Sequence, residues 1–90
     1  MEREEIYIGI DVSQDTLDMA AHPTGQRWQY KNSKSGIAKT VAKLKGVCPT
    51  LIVMEATGGL EQALKNALDE AGLAVAVVNP KRVRDFGKSM

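Results

Sequence analysis

The spacing of apolar residues changes period partway along the chain. Ile6, Ile8 and Ile10 alternate with Tyr7 and Gly9, the two-residue repeat of a strand with one buried face. Asp11 continues the Tyr7 and Gly9 face, and Val12-Ser13-Gln14-Asp15 breaks into a turn. Thr16 to Ala21 predicts a second strand, and His22-Pro23-Thr24-Gly25 is punctuated as a turn by proline and glycine. In Gln26 to Lys31, Trp28 and Tyr30 alternate with polar residues and predict a third strand. Three strands joined by short connections describe an antiparallel meander.

From Ser35 to Lys45 the period becomes helical, with Ile37, Val41 and Leu44 on one stripe and Ala38 and Ala42 beside it. Ser33 or Ser35 suits the N-cap and Gly46 the end. Thr50 to Glu55 is a continuous apolar run ending in an acid, the pattern of a strand buried on both faces in a parallel sheet. Thr57-Gly58-Gly59 turns the chain into a second helix. Its stripe is Leu60, Ala63, Leu64, Ala67, Leu68 and Ala71, with Glu61 and Lys65 as an exposed i,i+4 pair. Gly72 stops that helix, and Leu73 to Val78 is a further apolar strand. Asn79-Pro80 reads as a cap followed by proline at the first helical position, opening a last helix with Val83 and Phe86. The order is β-β-β-α-β-α-β-α, an α/β chain whose crossovers place the first strand beside the Leu51–Glu55 strand.

Composition narrows the class. Ninety residues allow one small domain, so residues 1–90 are taken as a single unit. The formal net charge of +1 means that affinity for nucleic acid has to come from local clusters. The single cysteine, Cys48, excludes an internal disulfide and suits a reducing, cytoplasmic setting. No apolar stretch reaches the roughly 18–20 residues that span a bilayer. Met1-Glu2-Arg3-Glu4-Glu5 has no apolar signal core. The end of the chain inside a helical pattern suggests the N-terminal part of a longer protein.

Asp11 and Glu55 are the main candidates for chemistry. Each ends an apolar strand and precedes a polar or glycine-rich turn. In open α/β sheets, ligands bind at the carboxyl ends of strands. Neighbouring strands would bring these two hard oxygen donors together, a pairing suited to Mg²⁺ or Mn²⁺. The structural alternative is that one acid caps a helix or faces solvent. Lys81, Arg82, Arg84 and Lys88 make the last helix basic, either for phosphate contact or as a solvated face. Thr57-Gly58-Gly59 could offer backbone N–H groups to a phosphate, but a tight strand-to-helix turn is the better account of it. Lys39, Lys43 and Lys45 read as an outer helix face, Asp15 and Asp18 as solvent-facing, and Trp28 and Tyr30 as strand packing. Neither His22 nor Cys48 has a partner spaced for metal binding or catalysis, and Cys48 reads as structural.

Three stretches together resemble a known family. They are Ile8-Gly9-Ile10-Asp11-Val12-Ser13, Met54-Glu55-Ala56-Thr57-Gly58-Gly59, and Val78-Asn79-Pro80 through Met90. The chain resembles the N-terminal domain of insertion-sequence family one-ten transposases and the related pilin-gene invertases. The resemblance implies a RuvC-like, ribonuclease-H-like fold carrying a DEDD acidic tetrad, with Asp11 as the first acid and Glu55 as the second. It implies that the last two aspartates follow Met90 and that a C-terminal domain supplies a serine nucleophile. It further implies Mg²⁺-dependent cleavage and transfer of DNA strands, a structured non-coding guide (bridge-type) RNA, and a homo-oligomer. On that view residues 1–90 hold half a metal site, bind metal weakly and are not active alone.

Two other readings stay open. A sugar-kinase or actin-like ATPase fold begins with the same element order, but Val12-Ser13-Gln14 lacks the glycine that lets a hairpin backbone approach a phosphate. A non-catalytic dimerisation or RNA-binding module would follow if one face of the sheet were left uncovered.

Overall fold

The structure is a computed structural model, and it describes residues 4–55 and 58–78. Five strands and two helices follow one another as β1 (Tyr7–Val12), β2 (Thr16–His22), β3 (Arg27–Lys31), α1 (Lys34–Val47), β4 (Leu51–Glu55), α2 (Gln62–Glu70) and β5 (Val75–Val78). The expected final helix lies outside the described residues. The five strands form one mixed sheet in the order β3-β2-β1-β4-β5. β1 is antiparallel to β2 and parallel to β4, so the meander joins the crossover half of the sheet at β1. This is the arrangement expected from the element order.

Alternation along the strands separates the two faces of the sheet. Ile8, Ile10 and Val12 of β1, Leu17, Met19 and Ala21 of β2, and Ile52 and Met54 of β4 are buried on one face. They form a single core with Leu44 of α1 and Leu64 and Leu68 of α2. Trp28, Tyr30, Ile37 and Val41 pack against its margin. The aromatic residues of β3 therefore serve packing, as expected. Lys43 is only half-exposed and stands over the Trp28 ring, 4.9 Å from its centroid, so it belongs to this packing and not to a plain outer helix face.

Both described helices lie on that one face. The opposite side of β4 is consequently only half-buried at Leu51 and Val53, and the β5 residues are half-buried or exposed. This corrects the expectation of strands buried on both faces. A continuous apolar run fits a two-sided strand, but here a second cover is missing among the described residues.

The helix ends also depart in detail. Ser33, and not Ser35, caps α1, its Oγ accepting a hydrogen bond from Gly36 N at 3.1 Å. Gly46 lies within α1. The helix instead ends at Cys48, which adopts the left-handed conformation (φ 57°) and donates its N–H to Leu44 O. Cys48 is exposed, so it is structural through its backbone and not through a buried thiol. In α2 the buried positions are Leu64 and Leu68, while Leu60 sits in the preceding turn and is exposed. Glu61 is buried just before α2 and its carboxylate accepts from Gly59 N at 3.4 Å. Lys65 pairs instead with Asp69 at 2.7 Å, one turn further on. Gly72, at φ 78°, ends the helical region as expected.

Candidate active site

The residues opposite the core converge on a groove of about 830 Å³ across the helix-free face of the sheet. Parity sets its lining. With Ile10 and Val12 committed to the core, Asp11 must project to the other side of β1. With Ile52 and Met54 buried, Glu55 must do the same on β4. The parallel register pairs Ile10 with Met54, and one step further along each strand come Asp11 and Glu55. Both acids are exposed and both line the groove. The structure thus brings together the two acids singled out in the sequence.

The turn after Asp11 is tightly held. Ser13 N donates to Thr16 O at 2.9 Å, and Thr16 N donates to Ser13 Oγ at 3.0 Å. From the end of β3, Asn32 Nδ2 donates to Ser13 O at 2.8 Å and Asn32 N to Asp15 O at 2.9 Å. Side-chain bonds of this kind replace the regular ladder where a chain reverses. They fix the position of Asp11 relative to β2 and β3. After Glu55 the chain turns through Gly58 (φ 71°) and Gly59 (φ 105°), a conformation that favours glycine at both positions. Gly58 and Gly59 are therefore needed for the turn itself.

The antiparallel register adds a residue that the sequence reading left in solvent. Asp18 is exposed, yet it is the direct partner of Asp11 across β1 and β2. Asp18, Asp11 and Glu55 consequently occupy three adjacent strands on one face. Like charges placed opposite each other repel. Two contacts hold the Asp18 carboxylate: Gln29 Nε2 of the edge strand donates to its Oδ1 at 2.7 Å, and Thr16 Oγ1 of β2 itself donates to its Oδ2 at 3.2 Å. Asp11 and Glu55 make no side-chain hydrogen bond or ion pair among the described residues. The parity of Leu17, Met19 and Ala21 already places Asp18 on the Asp11 side. The missing information was the register, which the three-residue connection sets.

Asp11 and Glu55 suit a hard divalent cation by donor type and exposure, and neither is engaged by another described side chain. Mg²⁺ commonly takes one or two protein carboxylates and completes its shell with water and phosphate oxygens. No group of three His, Cys, Asp or Glu side chains among the described residues is arranged to hold a metal. Lys81, Arg82, Arg84 and Lys88 lie outside the described residues. At the other end of the groove face, the Tyr7 hydroxyl donates to Glu5 Oε2 at 2.8 Å. That bond and the carboxylate charge push the Tyr7 phenol above its ordinary pKa. Among the described residues no helix is long and apolar enough to cross a membrane.

Comparison with known proteins supplies the family. The chain is similar to RuvC of Thermus thermophilus in complex with a Holliday junction substrate, with a TM-score of 0.69 and 17% identity over 91% of this chain and 69% of that one. It is also similar to another structure of Thermus thermophilus RuvC, with a TM-score of 0.57 and 18% identity over 83% of this chain and 62% of the other. Archaeoglobus fulgidus Pelota matches at a TM-score of 0.66 and 14% identity, over 86% of this chain but 27% of that protein. At these identities the likeness establishes a RuvC-like, ribonuclease-H-like fold. Comparison with curated proteins gives no match. A DEDD transposase model of insertion-sequence family one-ten, described as a transposase, matches residues 8–90. The chain therefore belongs to the insertion-sequence family one-ten DEDD transposases, as a domain of RuvC-like fold.

Proposed function

We propose that this domain supplies Asp11 and Glu55 as the first two acids of a Mg²⁺- or Mn²⁺-dependent site for cleavage and transfer of DNA strands. The observation carrying this reading is the parallel pairing of β1 and β4, which sets two exposed carboxylates, without a side-chain partner among the described residues, side by side on the groove. The structural likeness to a RuvC bound to a Holliday junction supports DNA as the substrate class. A bound divalent cation would supply Lewis-acid stabilisation of charge on a phosphate oxygen and activation of water. The protein's part is to hold the two acids on a rigid sheet. Gln29 and Thr16 keep Asp18 from turning onto Asp11, while its charge still favours a cation nearby.

Residues 1–90 are proposed as one domain of a longer transposase. The remaining acids of the tetrad, a nucleophile, a guide RNA and self-association belong to that whole protein. Lys81, Arg82, Arg84 and Lys88 are proposed as further contacts to nucleic-acid backbone.

Titration with Mn²⁺ followed by NMR tests the metal site. Line broadening is expected to concentrate at Asp11 and Glu55, with weak affinity, because two carboxylates are a minimal ligand set. It should disappear in an Asp11→Ala, Glu55→Ala variant. Broadening that persists in that variant, or that centres elsewhere, would show the assignment to be wrong.

A further inference from the structure

The edge strand β3 carries a second charged feature on the groove side of the sheet. Trp28 and Tyr30 point to the core, so Arg27, Gln29 and Lys31 point the other way, and all three are exposed. Gln29 pairs with Asp18, and Asp18 in turn pairs with Asp11. Gln29, Asp18, Asp11 and Glu55 therefore form a row across four strands, with Arg27 and Lys31 on either side of its outer end. Arg27 is also part of the groove lining.

These two cations differ from others nearby. Lys43 is engaged by the Trp28 ring and Lys65 by Asp69. Arg27 and Lys31 have no side-chain hydrogen bond or ion pair among the described residues, although Asp18 lies on the neighbouring strand. Gln29 occupies the Asp18 carboxylate at 2.7 Å and so leaves both cations available. Four residues of strand separate their backbones by about 13 Å. One nucleic-acid strand advances about 3.4 Å per nucleotide, so the pair spans about four nucleotides.

We propose that Arg27 and Lys31 hold the phosphate backbone of a DNA strand at the β3 edge, alongside the Asp11–Glu55 row. This rests on the reading of the groove as a DNA-processing site. The acids repel phosphate where no cation lies between, so a strand crossing this face needs fixed positive charge beside them. Arg27 and Lys31 are cations of the described structure that flank the row. Gln29 acts as a separator, holding Asp18 by its amide so that neither cation is neutralised internally.

Fluorescence anisotropy of a labelled DNA duplex, measured with the 90-residue chain across a salt series, tests the proposal. Each phosphate contact contributes about 0.9 to the slope of log affinity against log salt. An Arg27→Ala, Lys31→Ala variant should lose affinity at low salt, and its slope should fall by about 1.8. A Lys39→Ala, Lys45→Ala variant removes equal charge from α1 and should change the slope far less. Both pairs are exposed, and matched circular dichroism melting curves check that the variants remain folded. Equal losses in the two variants would reduce the effect to general electrostatics and overturn the proposal. Undiminished DNA binding by the β3 variant would also overturn it, while the DNA reading of the domain would stand. Absence of DNA binding by the unaltered chain would overturn both. If an Arg27→Glu, Lys31→Glu variant altered self-association in sedimentation and left DNA affinity unchanged, the β3 edge would be a protein interface and the proposal would fail.

Discussion

Single residues carry constraints in this fold that their type alone does not announce. A Cβ added to Gly36 would run into the backbone carbonyl of Lys31, where the first turn of α1 rests on the end of β3. Gly36, Thr40 and Leu44 are all buried on the same side of α1, so the helix has little freedom to move aside. Gly36→Ala is expected to destabilise the chain by about 1–3 kcal/mol, the range for overpacking a tight contact. Gly46, in the same helix, faces open space. There the same change should stabilise by up to about 1 kcal/mol, because alanine is the better helix former. Urea denaturation of the two variants checks both signs, and a loss at Gly46 with none at Gly36 would contradict the packing described. Neither role is visible in the sequence, where Gly36 falls inside a helical stretch and Gly46 reads as its end. Asp11 and Glu55 were legible because each interrupts a strongly apolar run. Asp18 was not, since nothing in Thr16-Leu17-Asp18-Met19 reveals which residue of β1 it will oppose.

At the level of elements, strands and their order follow from alternation and turn chemistry, and helix ends do so less well. The β1–β2–β3 meander is readable because Ile6 to Ile10 has period two and His22-Pro23-Thr24-Gly25 punctuates the chain. The Ser33 cap of α1 obeys the ordinary rule, with a side-chain oxygen accepting from the N–H three residues on. Ser33→Ala should cost about 1 kcal/mol in thermal or urea unfolding, whereas Ser35→Ala should cost much less. Equal losses would mean that the cap is shared. The end of α1 departs from the expected Gly46 because glycine is the usual left-handed residue and here Cys48 takes that conformation. Glu61 departs from the expected pair because an i,i+4 spacing presumes that both residues lie inside the helix. It precedes α2, and burial turns its carboxylate back to the Gly59 turn.

Across the whole molecule, stability should be graded from the middle of the sheet outward. β1 is bonded on both sides, its inward residues lie in the centre of the core, and β3 and β5 form the edges. Native-state hydrogen exchange should accordingly be slowest in β1 and faster in β3 and β5, since edge amides open without global unfolding. Protection in β5 equal to that in β1 would contradict this order. The same gradient places Asp11 on the firmest strand and Arg27 and Lys31 on a more yielding one. Rigidity is therefore concentrated at the proposed metal ligands, with more freedom at the proposed grip on DNA.

The parallel pairing of β1 with β4 also has a consequence for assembly. Its ladder is continued by Ile6 N donating to Thr50 Oγ1, a contact between residues 44 apart in sequence. The hairpin presenting Asp11 and Asp18 closes through a few residues, whereas Glu55 arrives only when a loop roughly tenfold longer has closed. That difference is on the order of 2 kcal/mol in closure entropy. The acidic pair thus depends on a non-local contact, whereas its first member sits in a locally closed hairpin. Closure entropy grows only logarithmically, and doubling the intervening length would cost about 0.6 kcal/mol more. The number of residues between the two acids is therefore weakly constrained, while a slip of one residue in register would turn Glu55 into the core.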